Sequence, residues 1–290
     1  MHPILFHLGP ITVHSYGVLL IIGFLIGLWR AMRVSARRMI AEPVGSPRRI
    51  HPDTVFDIGI TGLIVGLIGA RILFVALDWS AYSKHPVDAL KVWEGGLSLH
   101  GGMLFGILYL IFFCRWKKVS LYALGDVCAV AWSIAYAVGR IGCLLNGCCY
   151  GAPTTLPWGV RFPDEQHPGS MTLPSHPTQI YASLFNLVFF FVLVQWERRP
   201  RRDGELFYAY IGMYGLYRGI VDIFRAGATS TYIPGTHLTD TYLVSLGMII
   251  LSLTGIALLR RYRPAVKDAP MPGNLSASTG SLPKAGQGSI

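Results

Sequence analysis

Charged residues are scarce in this sequence. Asp, Glu, Lys and Arg make up 14% of its 290 residues, where an ordinary soluble domain carries about 25%. With 52% hydrophobic residues and a mean hydropathy of +0.46, that shortfall argues against a cytosolic globule and against a soluble two-domain enzyme. Lysine is scarcer still: six residues, at 84, 91, 117, 118, 267 and 284, none within a long apolar run. A retinal-type photoreceptor needs a Schiff-base lysine inside a span, so that class is disfavoured. No cationic segment precedes the first apolar run and no small-residue cleavage site follows it, so it reads as a retained span rather than a signal peptide. No internal repeat stands out, which weighs against an inverted-repeat transporter.

Long apolar runs are what the chain has instead. A hydrocarbon layer about 30 Å thick is crossed by a helix of about 20 mainly apolar residues, and a helix satisfies its own backbone polar groups there. Seven stretches qualify, at about 15–33, 54–77, 97–114, 121–145, 178–196, 206–225 and 239–259. The expected fold is an all-α polytopic membrane protein with seven transmembrane helices.

The excess positive charge, +10 overall, follows the connections between these runs. Seventeen Lys and Arg fall after spans 1, 3, 5 and 7 (30, 33, 37, 38, 48, 49; 115, 117, 118; 198, 199, 201, 202; 260, 261, 263, 267), and five, at 84, 91, 140, 161 and 225, lie on the other side. The positive-inside rule then puts the N-terminus outside and the C-terminus in the cytoplasm. Topology accounts for the charge, so nucleic acid is not an expected partner. The connection at about 146–177 holds six prolines and is long for a simple loop, which predicts a small extracytoplasmic head between spans 4 and 5. Residues 1–263 are read as one membrane domain. Residues 264–290, rich in Pro, Gly, Ser and Ala, are read as a disordered cytoplasmic tail, and residues 1–14 as a segment on the outer interface.

Charges inside spans are expensive, about 2.5–3.5 kcal/mol each at a helix centre on insertion scales, and each prompts a functional question. Arg71, Glu94, His100, Asp126, Arg140, Arg218, Asp222 and Arg225 lie within spans or at their ends. Most fall toward the outer half, which predicts a cationic chamber opening outward or sideways. Tyr214, Arg218 and Asp222 are spaced to share one helix face, and the Arg218–Asp222 pair is equally readable as structural. Arg140 has no carboxylate three or four residues away. Its planar fork suits a lipid phosphate, with snorkelling as the plainer reading. His100 sits among glycines that permit close approach. An imidazole there can take a proton from a thiol, although a span-end histidine is more often structural. Cys143, Cys148 and Cys149 crowd the end of span 4. Three cysteines without paired spacing are a weak metal signal, and no metal site and no cofactor is expected. A disulfide there stays open.

Several motifs in order resemble the bacterial prolipoprotein diacylglyceryl transferases over about nine-tenths of the chain. They are His14-Ser15-Tyr16-Gly17, Trp93-Glu94-Gly95-Gly96 leading to His100-Gly101-Gly102, Gly139-Arg140-Ile141-Gly142, Asn146-Gly147 to Gly151, His176-Pro177-Thr178-Gln179-Ile180-Tyr181, and Tyr214-Gly215-Leu216-Tyr217-Arg218 through Asp222 to Arg225. The resemblance implies a plasma-membrane enzyme of the bacterial inner membrane, with its active site toward the extracytoplasmic side. Such an enzyme moves the diacylglyceryl group of phosphatidylglycerol to the lipobox cysteine of a preprolipoprotein, forming a thioether and releasing glycerol phosphate. It also implies that Arg140, Gly101, Asn146 and Gly151 bind phosphatidylglycerol, and that His100, Arg218, Tyr16, Tyr214 and Asp222 serve catalysis, His100 as base. Asp222 stands where better-known members have Glu, Cys143 where they have Asn, and Cys148 where they have Glu, so the roles of that Asn and of the Glu at 148 are not carried over. An anion transporter is the main rival; it predicts polar residues through the cytoplasmic half as well. A membrane scaffold is the other, and it leaves the outward bias of the charges unexplained.

Overall fold

A computed structural model describes residues 4–8, 11–84, 86–91, 95–164, 169–199, 201–225 and 239–265. Glu94 and the tail beyond 265 lie outside the described residues. Seven long helices occur among these residues: α1 (Ser15–Ala41), α2 (Pro52–Leu77), α4 (Leu99–Trp116), α5 (Leu121–Asn146), α6 (Thr178–Glu197), α7 (Glu205–Ile223) and α8 (Asp240–Tyr262). A single-turn helix, α3 (Trp79–Tyr82), and a 3-10 turn (Pro86–Leu90) follow α2. The helix starts are legible locally. Pro52 opens α2 behind His51, whose ring accepts from the Asp53 N–H, while Ser98 and Ser120 cap α4 and α5 with their hydroxyls, each filling an orphan donor of the first turn.

Six of the seven helices are long and apolar enough to cross a membrane; α7 is not among them. It carries Glu205, Arg218 and Asp222, and both carboxylates are buried. Ahead of α1, β1 (Ile4–Leu8) and β2 (Ile11–His14) pair antiparallel, Leu8 opposite Ile11 and Ile4 opposite His14. This hairpin departs from the all-α expectation. Its strands are short and rich in Ile and Leu, and the intervening Gly9-Pro10 is a turn signal that interrupts any helix.

The molecule is apolar outside. Leu63, Ile64, Leu67, Ile68 and Ile72 of α2 and Leu243, Val244, Leu246, Ile250 and Leu251 of α8 are exposed, an extent of bare hydrocarbon that only lipid covers comfortably. α5 is the most enclosed of the candidate spans and packs on α1, α6 and α7, while α2 pairs with α4 and α7 with α8. Small residues make the closest seam. A β-carbon on Gly23 would stand 2.7 Å from the Ala135 carbonyl oxygen and one on Gly27 2.9 Å from that of Ala131, so α1 and α5 touch backbone to backbone, as membrane helices do where packing rather than hydrophobicity drives association.

These contacts run antiparallel and sort the ends. At one end Arg30 pairs with Glu197 at 2.6 Å, Arg48 with Glu42 and Asp203 at 2.6 Å each, and Arg260 with Glu205 at 3.2 Å. Asp126 of α5 accepts the Phe207 N–H at 3.0 Å, capping α7 from a neighbouring helix, with Arg201 3.8 Å away. The other end carries the N-termini of α1, α4, α6 and α8, the C-termini of α2, α5 and α7, and the irregular segment 147–177. Within that segment the bridges Pro153–Ser175, Val160–Ser175 and Pro163–Met171 hold a small knot around Phe162, which is fully buried and stacks on Tyr150 at 4.8 Å.

Candidate active site

The α5 and α7 chains bring Arg140, Tyr214, Arg218 and Asp222 to the same end of the bundle. Arg140 donates to the Tyr136 hydroxyl one turn earlier, and its guanidinium lies 4.8 Å from that ring. Tyr136 reaches Tyr217 through their hydroxyls at 3.3 Å, and its ring meets Tyr214 edge-on at 5.7 Å. Tyr214 and Tyr217 pack at 5.4 Å. Tyr136, backed by Tyr214 and Tyr217, therefore holds the guanidinium without neutralising it, since a tyrosine offers its ring face and a hydroxyl rather than a carboxylate.

Arg218 reaches Asp222 only at 3.9 Å, and its Nη1 is buried without a hydrogen-bond partner among the described residues. Asp222 makes its shorter bond elsewhere, accepting from the Thr239 hydroxyl at 2.6 Å and so joining the end of α7 to the start of α8. A buried donor left open is costly unless something fills it.

Beside Arg140 a cleft of about 160 Å³ is lined by Ile141, Leu144, Gln179, Ile180, Ser183 and Leu184. Ile141, Ile180 and Leu184 are exposed on the apolar perimeter, so the cleft opens between α5 and α6 toward lipid. Gln179 is fully buried; its amide nitrogen donates to the Cys148 carbonyl at 2.6 Å, and its Oε1 has no partner among the described residues.

Asn146 ends α5, and its side chain lies beside the Cys148 sulfur. Tyr16 opens α1 against this turn, where a β-carbon on Gly142 would lie 3.4 Å from the Tyr16 Cα. Gly151 lets the knot close on the helices: a β-carbon there would stand 2.4 Å from the Phe224 carbonyl oxygen. The Cys143, Cys148 and Cys149 sulfurs lie within 4.8 Å of one another. The Cys148 thiol donates to the Cys143 carbonyl oxygen at 3.8 Å, and the neighbouring Cys143 and Cys148 thiols, with the charges of Arg140 and Arg225, hold the Cys149 pKa below the ordinary range.

His100 stands apart. It is exposed on α4, and no hydrogen bond or ion pair among the described residues joins it to the Arg140 cluster. Gly101 serves the packing of α4 on α2, where a β-carbon would lie 2.4 Å from the Gly69 carbonyl oxygen. Arg71 does not join the chamber either: it donates to the carbonyls of Asp88, Ala89, Lys91, Gly95 and Gly96 and clamps the loop after α3. Tyr136, Tyr217, Gln179 and Thr239 went unremarked in the sequence as site residues, although Tyr136 precedes Arg140 by one helical turn and Gln179 lies within a conspicuous motif. The motif's His176 and Tyr181 line the junction of knot and helices, with Trp158 donating to the Tyr181 hydroxyl at 2.8 Å.

Taken together, these features define a class: a helical integral-membrane protein that holds cations beside a cleft open to the lipid phase. The family model described as prolipoprotein diacylglyceryl transferase matches residues 3–258. Among named relatives, the phosphatidylglycerol–prolipoprotein diacylglyceryl transferase of Geobacter sulfurreducens is 35% identical over 89% of this chain and 95% of its own. Those of Trichormus variabilis and Geobacillus kaustophilus are 32% and 34% identical, over 92% and 85% of this chain and 94% and 88% of theirs. The chain belongs to the prolipoprotein diacylglyceryl transferase family.

Proposed function

We propose that this protein transfers the diacylglyceryl group of phosphatidylglycerol to the lipobox cysteine of a preprolipoprotein, the first step of lipoprotein maturation. The thiol sulfur attacks the glycerol carbon, a thioether forms, and glycerol phosphate leaves. The observation that carries this reading is Arg140 at the mouth of a lipid-facing cleft, with no carboxylate paired to it among the described residues. An acyl chain follows the apolar wall of Ile141, Leu144 and Leu184 while the phosphate meets the guanidinium fork. Arg218, with a buried donor open, neutralises charge as it develops on the leaving phosphate, the kind of oriented stabilisation that dominates many enzymatic barriers.

The remaining assignments follow the family pattern. His100, exposed and apart from the Arg140 cluster, takes the thiol proton through intervening water. Tyr214 and Asp222 set the Arg218 face, Tyr16 closes the chamber from α1, and Gly101, Asn146 and Gly151 keep the backbone close around the lipid. α7 counts as a seventh span, its charges shielded by α5 and α8. The N-terminus is outside, the knot at 147–177 is an extracytoplasmic head, and the ion-paired end is cytoplasmic, so the protein spans the bacterial inner membrane with its site facing outward.

Photoactivatable phosphatidylglycerol tests the cleft. Crosslinks on peptides carrying Ile141, Leu144, Ile180 or Leu184, lost in Arg140→Ala, are expected. Crosslinks confined to α2 and α8 and indifferent to Arg140 would overturn the assignment.

A further inference from the structure

The three thiols at the end of α5 are brought together by backbone geometry that reaches well beyond their linear spacing. Gly147 adopts the left-handed conformation at φ 80°, the Cys148 N–H bonds the Cys143 carbonyl at 3.2 Å, and the Gly147 N–H reaches those of Cys143 and Leu144 at 3.0 and 3.2 Å. This is the Schellman arrangement, which sets the side chains at C3 and C″ against each other; those positions are Cys143 and Cys148. Cys149 then takes φ 63°, uncommon for any residue but glycine, and its sulfur turns back onto the other two. Neighbours fix this turn from outside: Gln179 donates to the Cys148 carbonyl at 2.6 Å and Thr178 to that of Cys149 at 2.8 Å.

We propose that Cys143, Cys148 and Cys149 form a three-thiolate site for one zinc ion, whose fourth position takes the thiol of the incoming peptide. Zinc–sulfur bonds of about 2.3 Å put tetrahedral thiolates about 3.8 Å apart. The sulfurs, all within 4.8 Å of one another, are nearly in place. Thiolate ligands select soft or borderline ions such as zinc over magnesium or calcium, and three protein ligands leave the position that a reacting group occupies in catalytic zinc sites. Three thiolates and one zinc ion carry a net charge of about −1. Arg140 and Arg225 lie within electrostatic reach of Cys149 and compensate it. The cluster is thus next to the guanidinium proposed to hold the lipid phosphate.

The role of the fourth position rests on the transferase reading. Zinc held there would lower the pKa of the bound peptide thiol; the proton would pass through water to His100, the sulfur–carbon bond would form as the carbon–oxygen bond to phosphate breaks, and the electron pair would leave with glycerol phosphate. The zinc ion keeps its charge throughout, and no oxidant is needed.

Tag-free, full-length protein purified in detergent under reductant is the material for the test. Elemental analysis is expected to give one zinc per chain, falling below a tenth of that in Cys149→Ser, while the melting profile of this exposed-site variant stays near that of the parent. Cobalt exchanged into the site is expected to show sulfur-to-metal charge-transfer absorption that shifts with a lipobox peptide carrying Cys and not with its Ser counterpart. Zinc no higher in the parent than in Cys143→Ser, Cys148→Ser and Cys149→Ser, or a disulfide within the cluster under these conditions, overturns the site. A cobalt spectrum indifferent to the Cys peptide overturns the thiol position. Transfer is assayed separately: metal binding with a peptide response but no lipid transfer sinks the transferase reading alone, and full transfer by metal-free protein overturns the role of zinc in holding the peptide thiol.

Discussion

At the residue scale, Arg140 shows how a guanidinium can be held firmly yet left available. Its contacts are phenolic and aromatic, through Tyr136 and then Tyr217, so orientation is fixed without loss of charge. Arg140→Ala is expected to lower transfer by about 10²–10³, the usual effect of removing one oriented transition-state donor, with the melting temperature little changed. Arg140→Lys keeps the charge and loses the fork, so steady-state kinetics should place it between the two. Tyr136→Phe removes the hydroxyl relay while leaving the ring, and a smaller loss of kcat is expected from it than from Arg140→Ala; an equal loss would mean that Tyr136 touches substrate itself. Thr239→Val leaves Asp222 buried without its 2.6 Å partner. A destabilisation of about 1–3 kcal/mol follows from an unsatisfied buried acceptor, measurable by denaturation in detergent.

At the scale of elements, glycine decides which helices can meet. Gly101 faces the Gly69 carbonyl oxygen at a distance that excludes a β-carbon, so Gly101→Val must push α4 off α2. Overpacking of this kind costs about 1–3 kcal/mol or more, and lower yield of folded protein with an earlier melting transition is expected; Gly106→Val, where nothing lies near, is the matched control. The helices themselves were legible because apolar runs, serine caps and Pro52 are local signals. The partnering of α1 with α5 was not, since a glycine in a single sequence does not reveal which backbone it approaches. Asp126 illustrates the same limit: flagged as an intramembrane charge, it caps α7 and faces Arg201, a role visible only once two distant segments are adjacent. The three cysteines are the clearest case, because spacings of five and one residues become a cluster only through the left-handed turns at Gly147 and Cys149.

For the whole molecule, the distribution of charge describes an oriented bundle. Ion pairs gather at one end, and the open cations, the cleft and the knot gather at the other. The sequence carried this asymmetry in its Lys and Arg placement, and charge in apolar runs singled out Arg140, Arg218 and Asp222, while their site roles came from the family resemblance. What it hid was division of labour, such as Arg71 clamping a loop while Arg218 keeps an open donor. The proposed orientation makes an accessibility prediction: in a background with Cys149→Ser, Thr154→Cys should react with an impermeant maleimide on intact spheroplasts, and Arg199→Cys only after permeabilisation. The reverse pattern would invert the topology and remove the outward-facing site.

The most direct measurement combines purified protein, phosphatidylglycerol labelled in its head group, and a lipobox peptide carrying either Cys or Ser, with released glycerol phosphate and peptide mass read together. Release that depends on the cysteine, matched mole for mole by a diacylglyceryl mass gain and lost in Arg140→Ala, is the predicted result. Folded protein that releases no glycerol phosphate with the Cys peptide, or releases it equally with the Ser peptide and leaves both masses unchanged, would contradict the transferase account.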